Sequence, residues 1–299
     1  MPLLKVSRKG KRYGAHLTGL RVDDAGFPAY LLNKFTTPPP SFFVPGQLGD
    51  VKDQADTGMC TGEASCAEGE RLYRFRRNQS PDFAPEFTYA LEREFEGTWA
   101  QGDVGAQVIT SLIVPDPANN KPFCVGWCPT NVSGYVPLDI GTLPSQAQLA
   151  AAAKWQGGAR HWIGNNIMNM KWCILSGYTF VIGIYVYSSF ESDETANSGL
   201  IPFPNLNSSN EQLQGGHEMH AGIGYDDTIQ CPNAANPGAI MVQNSWGQNW
   251  GIKSPQSGQR GFAWIPYDYV MSSQLTTDVR MSHLGKAWVA PTAPKKKAA

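Results

Sequence analysis

The chain has 299 residues, 41% of them hydrophobic and 16% charged, with a formal net charge of −1. That balance describes a globular protein able to bury one large core or two lobes, and it excludes a disordered chain. So small a net charge gives no overall pull toward nucleic acid or acidic membranes, and neither is expected as a partner.

Five Lys/Arg lie between Lys5 and Arg12, and Lys295, Lys296 and Lys297 stand near the end; both basic ends read as solvated termini. The first residues carry charge but no apolar run, so no secretory signal is expected. Pro38, Pro39 and Pro40 form a stiff break. Residues 1–37 are therefore read as an N-terminal arm or short pro-like segment, 38–290 as the body, and 291–299 as a basic tail.

Residues 51–77 read VKDQADTGMCTGEASCAEGERLYRFRR. Gly58 offers a tight turn, Cys60 follows, and a helix-compatible run begins there. Glu63, Glu68 and Glu70 fall early in it, and Arg71, Arg74, Arg76 and Arg77 crowd its end, which suits the helix macrodipole. Cys60 is thus expected at the positive N-terminus, where a thiol is pushed toward the attacking thiolate. Taken alone, the segment reads first as a buried cysteine opening an ordinary amphipathic helix.

Asn78 and Pro81 stop this pattern, and residues 87–95 resume helical spacing. A turn-rich patch at 97–105 leads to a short helix over 106–113, and 115–144 is mainly loop. Helices are predicted over 146–155 and 167–175, with Gly177 as a C-cap, before a buried strand at 180–187. Residues 172–187 are too short and too interrupted, by Ser176, Gly177 and Gly183, to span a membrane. Short strands are predicted at 221–225, 239–243 and 261–265. Helices first and strands later argue for an α+β fold of two lobes: a mainly helical one over 60–165, and a strand-rich one over 166–290 together with 38–59.

Six cysteines, at 60, 66, 124, 128, 173 and 231, could pair, but without an export signal reduced thiols in the cytoplasm or another reducing compartment are expected. Cys124 and Cys128 lack a second cysteine pair, and His217 with His220 lacks the glutamate of a metalloprotease helix. No metal or organic cofactor is expected.

Two later stretches carry chemistry. In GGHEMHAGIGYDD (215–227), His217 follows two glycines at the mouth of a strand; in QNSWGQNWG (243–251), Asn244 precedes Trp246 and Trp250 in a glycine-bounded loop. A cysteine, a later histidine and a still later asparagine form the order that thiol-based amide hydrolysis uses.

With these segments in place the chain resembles the papain family of cysteine peptidases. Gln54 stands six residues before Cys60, the family's spacing, and Asn244-Ser245-Trp246-Gly247 with Trp250-Gly251 matches its Asn-Ser-Trp-Gly block. The run from Gly261 through Tyr267, and Glu96-Gly97-Thr98 with Asp103-Val104-Gly105, are similar to bacterial members. The similarity runs from about 38 to 289.

The resemblance implies a two-lobed fold with a helical left lobe, a β-barrel-like right lobe, and an active site in the cleft between them. It implies an endopeptidase acting on a peptide or protein substrate, with Cys60 as nucleophile, His217 as general acid and base, and Asn244 orienting the imidazole. Gln54 and the Cys60 N–H would serve the oxyanion, while Gly105, Asp103 and Trp246 would contact substrate, Trp246 also shielding the His–Asn bond.

The departures are specific. Thr57 and Thr61 replace a cysteine and a tryptophan of plant and lysosomal members, and no long helical propeptide precedes the body. His217 lies seven residues before Gly224 where the family has six, so a strand bulge is required to aim it; His220 is the alternative, read as core-facing. A non-catalytic binding or structural protein of the same fold, and an amide-transferring relative, remain as alternative functions.

Overall fold

The helix expected after Gly58 is the centre of the fold. The computed structural model, which describes residues 10–18, 26–28 and 37–284, begins it at Cys60 and ends it at Arg77 (α1, Cys60–Arg77). Asn78 closes it in the left-handed conformation at φ 53°, its N–H meeting the Tyr73 carbonyl. The helix is not amphipathic: every residue from Cys60 to Tyr73 is buried. Three of its buried charged groups have polar partners. Glu70 faces Lys52 at 3.2 Å and accepts the Phe83 N–H, Arg71 donates to the Pro45 and Gly177 carbonyls, and Glu68 accepts from Thr179.

Around α1 the chain lays down β1 (Ala15–His16), β2 (Ser41–Phe43), α2 (Pro85–Glu96), β3 (Ala106–Gln107), α3 (Val108–Ile113) and α4 (Gln146–Ala152). There follow β4 (Gly157–Trp162), α5 (Ile167–Leu175), β5 (Phe180–Tyr187), α6 (Asp193–Ser198) and β6 (Leu213–Asp226). The last elements are β7 (Ala239–Gln243), β8 (Phe262–Pro266), α7 (Tyr267–Met271) and β9 (Thr276–Leu284). Helices α2 and α3 pack on one side of α1, and the long strand β6 runs along its other side.

Two predicted helices are shorter than expected, for tertiary reasons. Ala106 and Gln107 form a strand because the arm pairs with them, Ala15 opposite Ala106 and His16 opposite Gln107. α4 stops at Ala152 because Trp155 turns inward onto Tyr73, with ring centroids 4.9 Å apart.

The remaining strands build a seven-stranded sheet in the order β4-β9-β5-β6-β7-β8, with β2 also paired to β6. The ladder runs from β4 to β8 without closing, so the strand-rich lobe is an open sheet and not a barrel among the described residues. All six cysteines are buried and unpaired. Among the described residues no helix is long and apolar enough to cross a membrane.

Candidate active site

Strand β6 supplies the histidine. Its first part pairs with β5, placing His217 opposite Ile184, and its last part pairs with β7. Between the two, the β6–β7 register shifts from Ala221 to Gly224, with Gly222 at φ 76°. This is the bulge that the seven-residue spacing requires. His220 turns inward, where Nδ1 lies 3.1 Å from Gln243 Oε1 and Nε2 lies 3.3 Å from Glu68. It is a core histidine.

His217 faces Asn244 instead, its Nε2 2.8 Å from Oδ1. The Ser245 N–H donates to that same oxygen at 2.8 Å, so Oδ1 is an acceptor and Nε2 carries the ring proton. Nδ1 is then the bare nitrogen, buried and without a hydrogen-bond partner among the described residues. Trp246 covers this pair, 5.4 Å from the imidazole centroid, and is itself braced by Trp250 and Phe190.

Cys60 heads α1 against the same strand, for the backbone N–H of Glu218, the residue after His217, hydrogen-bonds its sulfur. Gln54 is stitched to the asparagine loop: its N–H donates to the Ser245 carbonyl, and its Oε1 accepts from Ser245 Oγ at 2.6 Å. Its Nε2 donates to the Thr57 carbonyl at 2.7 Å. Asp103 holds the turn before the cysteine, accepting from the Gly58 N–H at 3.0 Å and the Tyr89 hydroxyl at 2.7 Å. Cys60 thus lies beside the strand that carries His217, His217 is bonded to Asn244 and packed near Trp246, Gln54 is tied to the same loop, and Asp103 holds the turn before the cysteine.

The cleft already holds a peptide, the chain's own residues 10–18. The Gly14 carbonyl accepts the Ala106 N–H at 2.8 Å, the Gly14 N–H hydrogen-bonds the Cys60 sulfur, and the Arg12 carbonyl lies 3.3 Å from Gln54 Nε2. Side chains fasten the segment: Arg12 to Asp103 at 3.1 Å, Lys11 to Asp53 at 3.5 Å, Tyr13 to Glu191, and Thr18 to Asp278. Tyr13 stands edge-on to both His217 and Trp246. The fit requires glycine twice. A Cβ on Gly14 would lie 1.7 Å from the Gly58 oxygen, and one on Gly105, itself at φ 80°, would lie 2.0 Å from the Gly14 oxygen. Sequence reading missed Tyr13 and Glu191 and this whole arrangement.

Covering the site changes its electrostatics. Burial pushes the Cys60 thiol up to about 12, outweighing the Glu218 and Gly14 N–H groups that pull it down. This reverses the thiolate expected from the helix N-terminus. Burial also lowers His217 to about 4, against the upward pull of its bond to Asn244. At neutral pH the covered pair is an uncharged thiol beside an uncharged imidazole.

No family model matches the chain. An uncharacterized peptidase C1-like protein of Acanthamoeba polyphaga mimivirus is 29% identical over 248 residues, covering 79% of this chain and 70% of that one. Among solved structures, xylellain, a cysteine protease from Xylella fastidiosa, superposes with a TM-score of 0.74 at 25% identity, over 95% of this chain and 98% of its own. Bromelain from Ananas comosus, solved with the E64 inhibitor, shares the fold at a TM-score of 0.53 and 17% identity, covering 82% of this chain and 99% of its own. The chain has the papain-like fold, and its sequence and structure are similar to those of papain-family cysteine peptidases.

Proposed function

We propose that this chain hydrolyses peptide bonds through a thioester on Cys60, and that its N-terminal arm keeps it latent until displaced. The observation that carries the reading is the extended peptide held by its backbone against Cys60, Gln54 and Ala106. A cleft that grips main chain at a thiol is suited to a peptide or protein substrate.

Once the arm leaves, water and substrate reach the pair. His217 Nδ1 takes the thiol proton, and the thiolate attacks the scissile carbonyl carbon. The tetrahedral oxyanion receives hydrogen bonds from Gln54 Nε2 and the Cys60 N–H, donors of a kind worth about 2.7–4 kcal/mol of barrier each. The C–N bond breaks as His217 returns the proton to the departing amine. Water then attacks the thioester, His217 accepts its proton, and release of the acid restores the thiol. Asn244 keeps the ring aimed throughout by accepting from Nε2. Gly105 and Asp103 line the backbone-binding side, and Trp246 covers the opposite wall.

In this reading residues 1–37 are a short pro-like arm, 38–290 the peptidase body, and 291–299 a basic tail. Six unpaired thiols fit a reducing compartment. Mass spectrometry of a denatured protein incubated with the chain tests the activity. New peptide termini are expected with a Gly14→Ala chain, whose arm no longer fits against Gly58, and none when Cys60→Ala is added; cleavage equal in both would refute the assignment of the nucleophile.

A further inference from the structure

Between α1 and strands β6 and β7 lies a small cavity of about 10 Å³, lined among others by Lys52, Glu63, Glu218, His220, Gln243 and Asn244. Asn244 spends Oδ1 on two donors, His217 and the Ser245 N–H. Its amide nitrogen is fully buried and has no hydrogen-bond partner among the described residues. Across the cavity, Glu63 Oε2 is in the same condition, as is Glu218 Oε2. A space of this size takes one water, and a buried water is stable when it finds two to four polar partners. The cavity's lining residues carry an N–H donor and two carboxyl oxygens that lack protein partners among the described residues.

The geometry points to Glu63 as a positioning residue for the reaction, joined through one buried water to the Asn244 amide nitrogen. This rests on the roles proposed above for His217 and Asn244. Glu218 is the weaker candidate, because its other oxygen is already engaged by Ser111 at 2.8 Å. Glu63 stands three residues after Cys60 on the same helix, whereas Asn244 belongs to the sheet lobe. The link therefore pins the helix bearing the sulfur to the loop that aims the imidazole. It also fixes which end of the amide His217 meets. A flipped amide would set its NH2 group against two donors and leave its oxygen in the cavity. Burial raises the Glu63 carboxyl well above its ordinary value, against the pull of Lys52, which favours the neutral acid that can donate as well as accept. Glutamine is accordingly its close mimic.

The test uses the full chain with ¹⁵N-labelled histidine, comparing Glu63→Leu and Glu63→Gln with wild type by NMR. A single His217 signal with the proton on Nε2 is expected in wild type and in Glu63→Gln. In Glu63→Leu the signal should broaden or divide between tautomers, and, with both chains carrying Gly14→Ala to release the arm, kcat should be about ten- to hundredfold lower and KM within about twofold. An unchanged signal and unchanged kcat in a folded Glu63→Leu chain would overturn the proposal. A high-resolution crystal structure of the wild-type chain gives a second reading that needs no variant. Density for one water in contact with both Glu63 and Asn244 is expected, and a dry cavity overturns the link. Neither the NMR nor the density depends on turnover, so failure of the peptidase reading would show separately, as absence of hydrolysis by the arm-released Gly14→Ala chain.

Discussion

Replacing Gly14 with alanine should open the cleft. The new Cβ would stand 1.7 Å from the Gly58 oxygen, 2.5 Å from its carbonyl carbon and 2.9 Å from its Cα. All three are backbone atoms, so no rotamer change relieves the overlap. Nor can the Gly58 turn retreat freely, because its N–H is held by Asp103 at 3.0 Å and it leads directly into α1. Overpacking of a well-ordered site costs about 1–3 kcal/mol, and contacts this short with main chain belong at the upper end. About 3 kcal/mol shifts a seated–released equilibrium by roughly 150-fold. The peptidase body should keep its fold, since the substitution sits on the arm. The assay is the rate of Cys60 alkylation by a small thiol reagent, read by peptide mass mapping, with thermal unfolding as control. A rise of about ten- to hundredfold in Gly14→Ala is expected. An unchanged rate in a variant that melts like wild type would refute the reasoning that the arm seals the sulfur.

Gly105→Ala should separate opening from binding: its Cβ would lie 2.0 Å from the Gly14 oxygen at a backbone φ of 80°, expelling the arm but also crowding substrate backbone. Faster alkylation than wild type, with KM about tenfold above that of Gly14→Ala, is the expected pair of results in alkylation and steady-state assays. Asn244→Ala leaves the buried His217 N–H without its acceptor, a loss of about 1–3 kcal/mol, and kcat should fall about ten- to hundredfold with little change in KM. Acid should also release the arm. His217 is lowered from 6.5 to about 4 in the covered state, so between those values the open state binds the extra proton. The covered state is undisturbed by this group above about pH 6.5 and loses up to about 3 kcal/mol as pH falls to 4. Hydrogen exchange of residues 10–18, corrected for the intrinsic pH dependence, should therefore accelerate across that window.

Much of the site was legible because its residues sit in contiguous motifs. Cys60 opens a helix whose charges run in the order its dipole favours, and Asn244 and Trp246 share one glycine-bounded loop. Even the off-by-one spacing of His217 was informative, since it required the bulge now seen at Gly222. What was not legible depends on distant partners. Strand β9 is buried on both faces and carries Asp278 and Arg280 inside, so it shows no apolar alternation; β4 opens on two glycines. The arm was missed for the same reason. Gly14 looks like any loop glycine until Gly58 and Gly105 are known to flank it. The helix N-terminus at Cys60 was read correctly but its consequence was not, because burial under the arm outweighs the favourable N–H groups.

The most direct test of the account is labelling of the Gly14→Ala chain with an epoxysuccinyl thiol-protease probe at neutral pH, followed by peptide mapping. The account predicts modification at Cys60 alone among the six cysteines, abolished when His217→Ala is added and retained when His220→Ala is added instead. Equal labelling of Cys60 with and without His217 would contradict it.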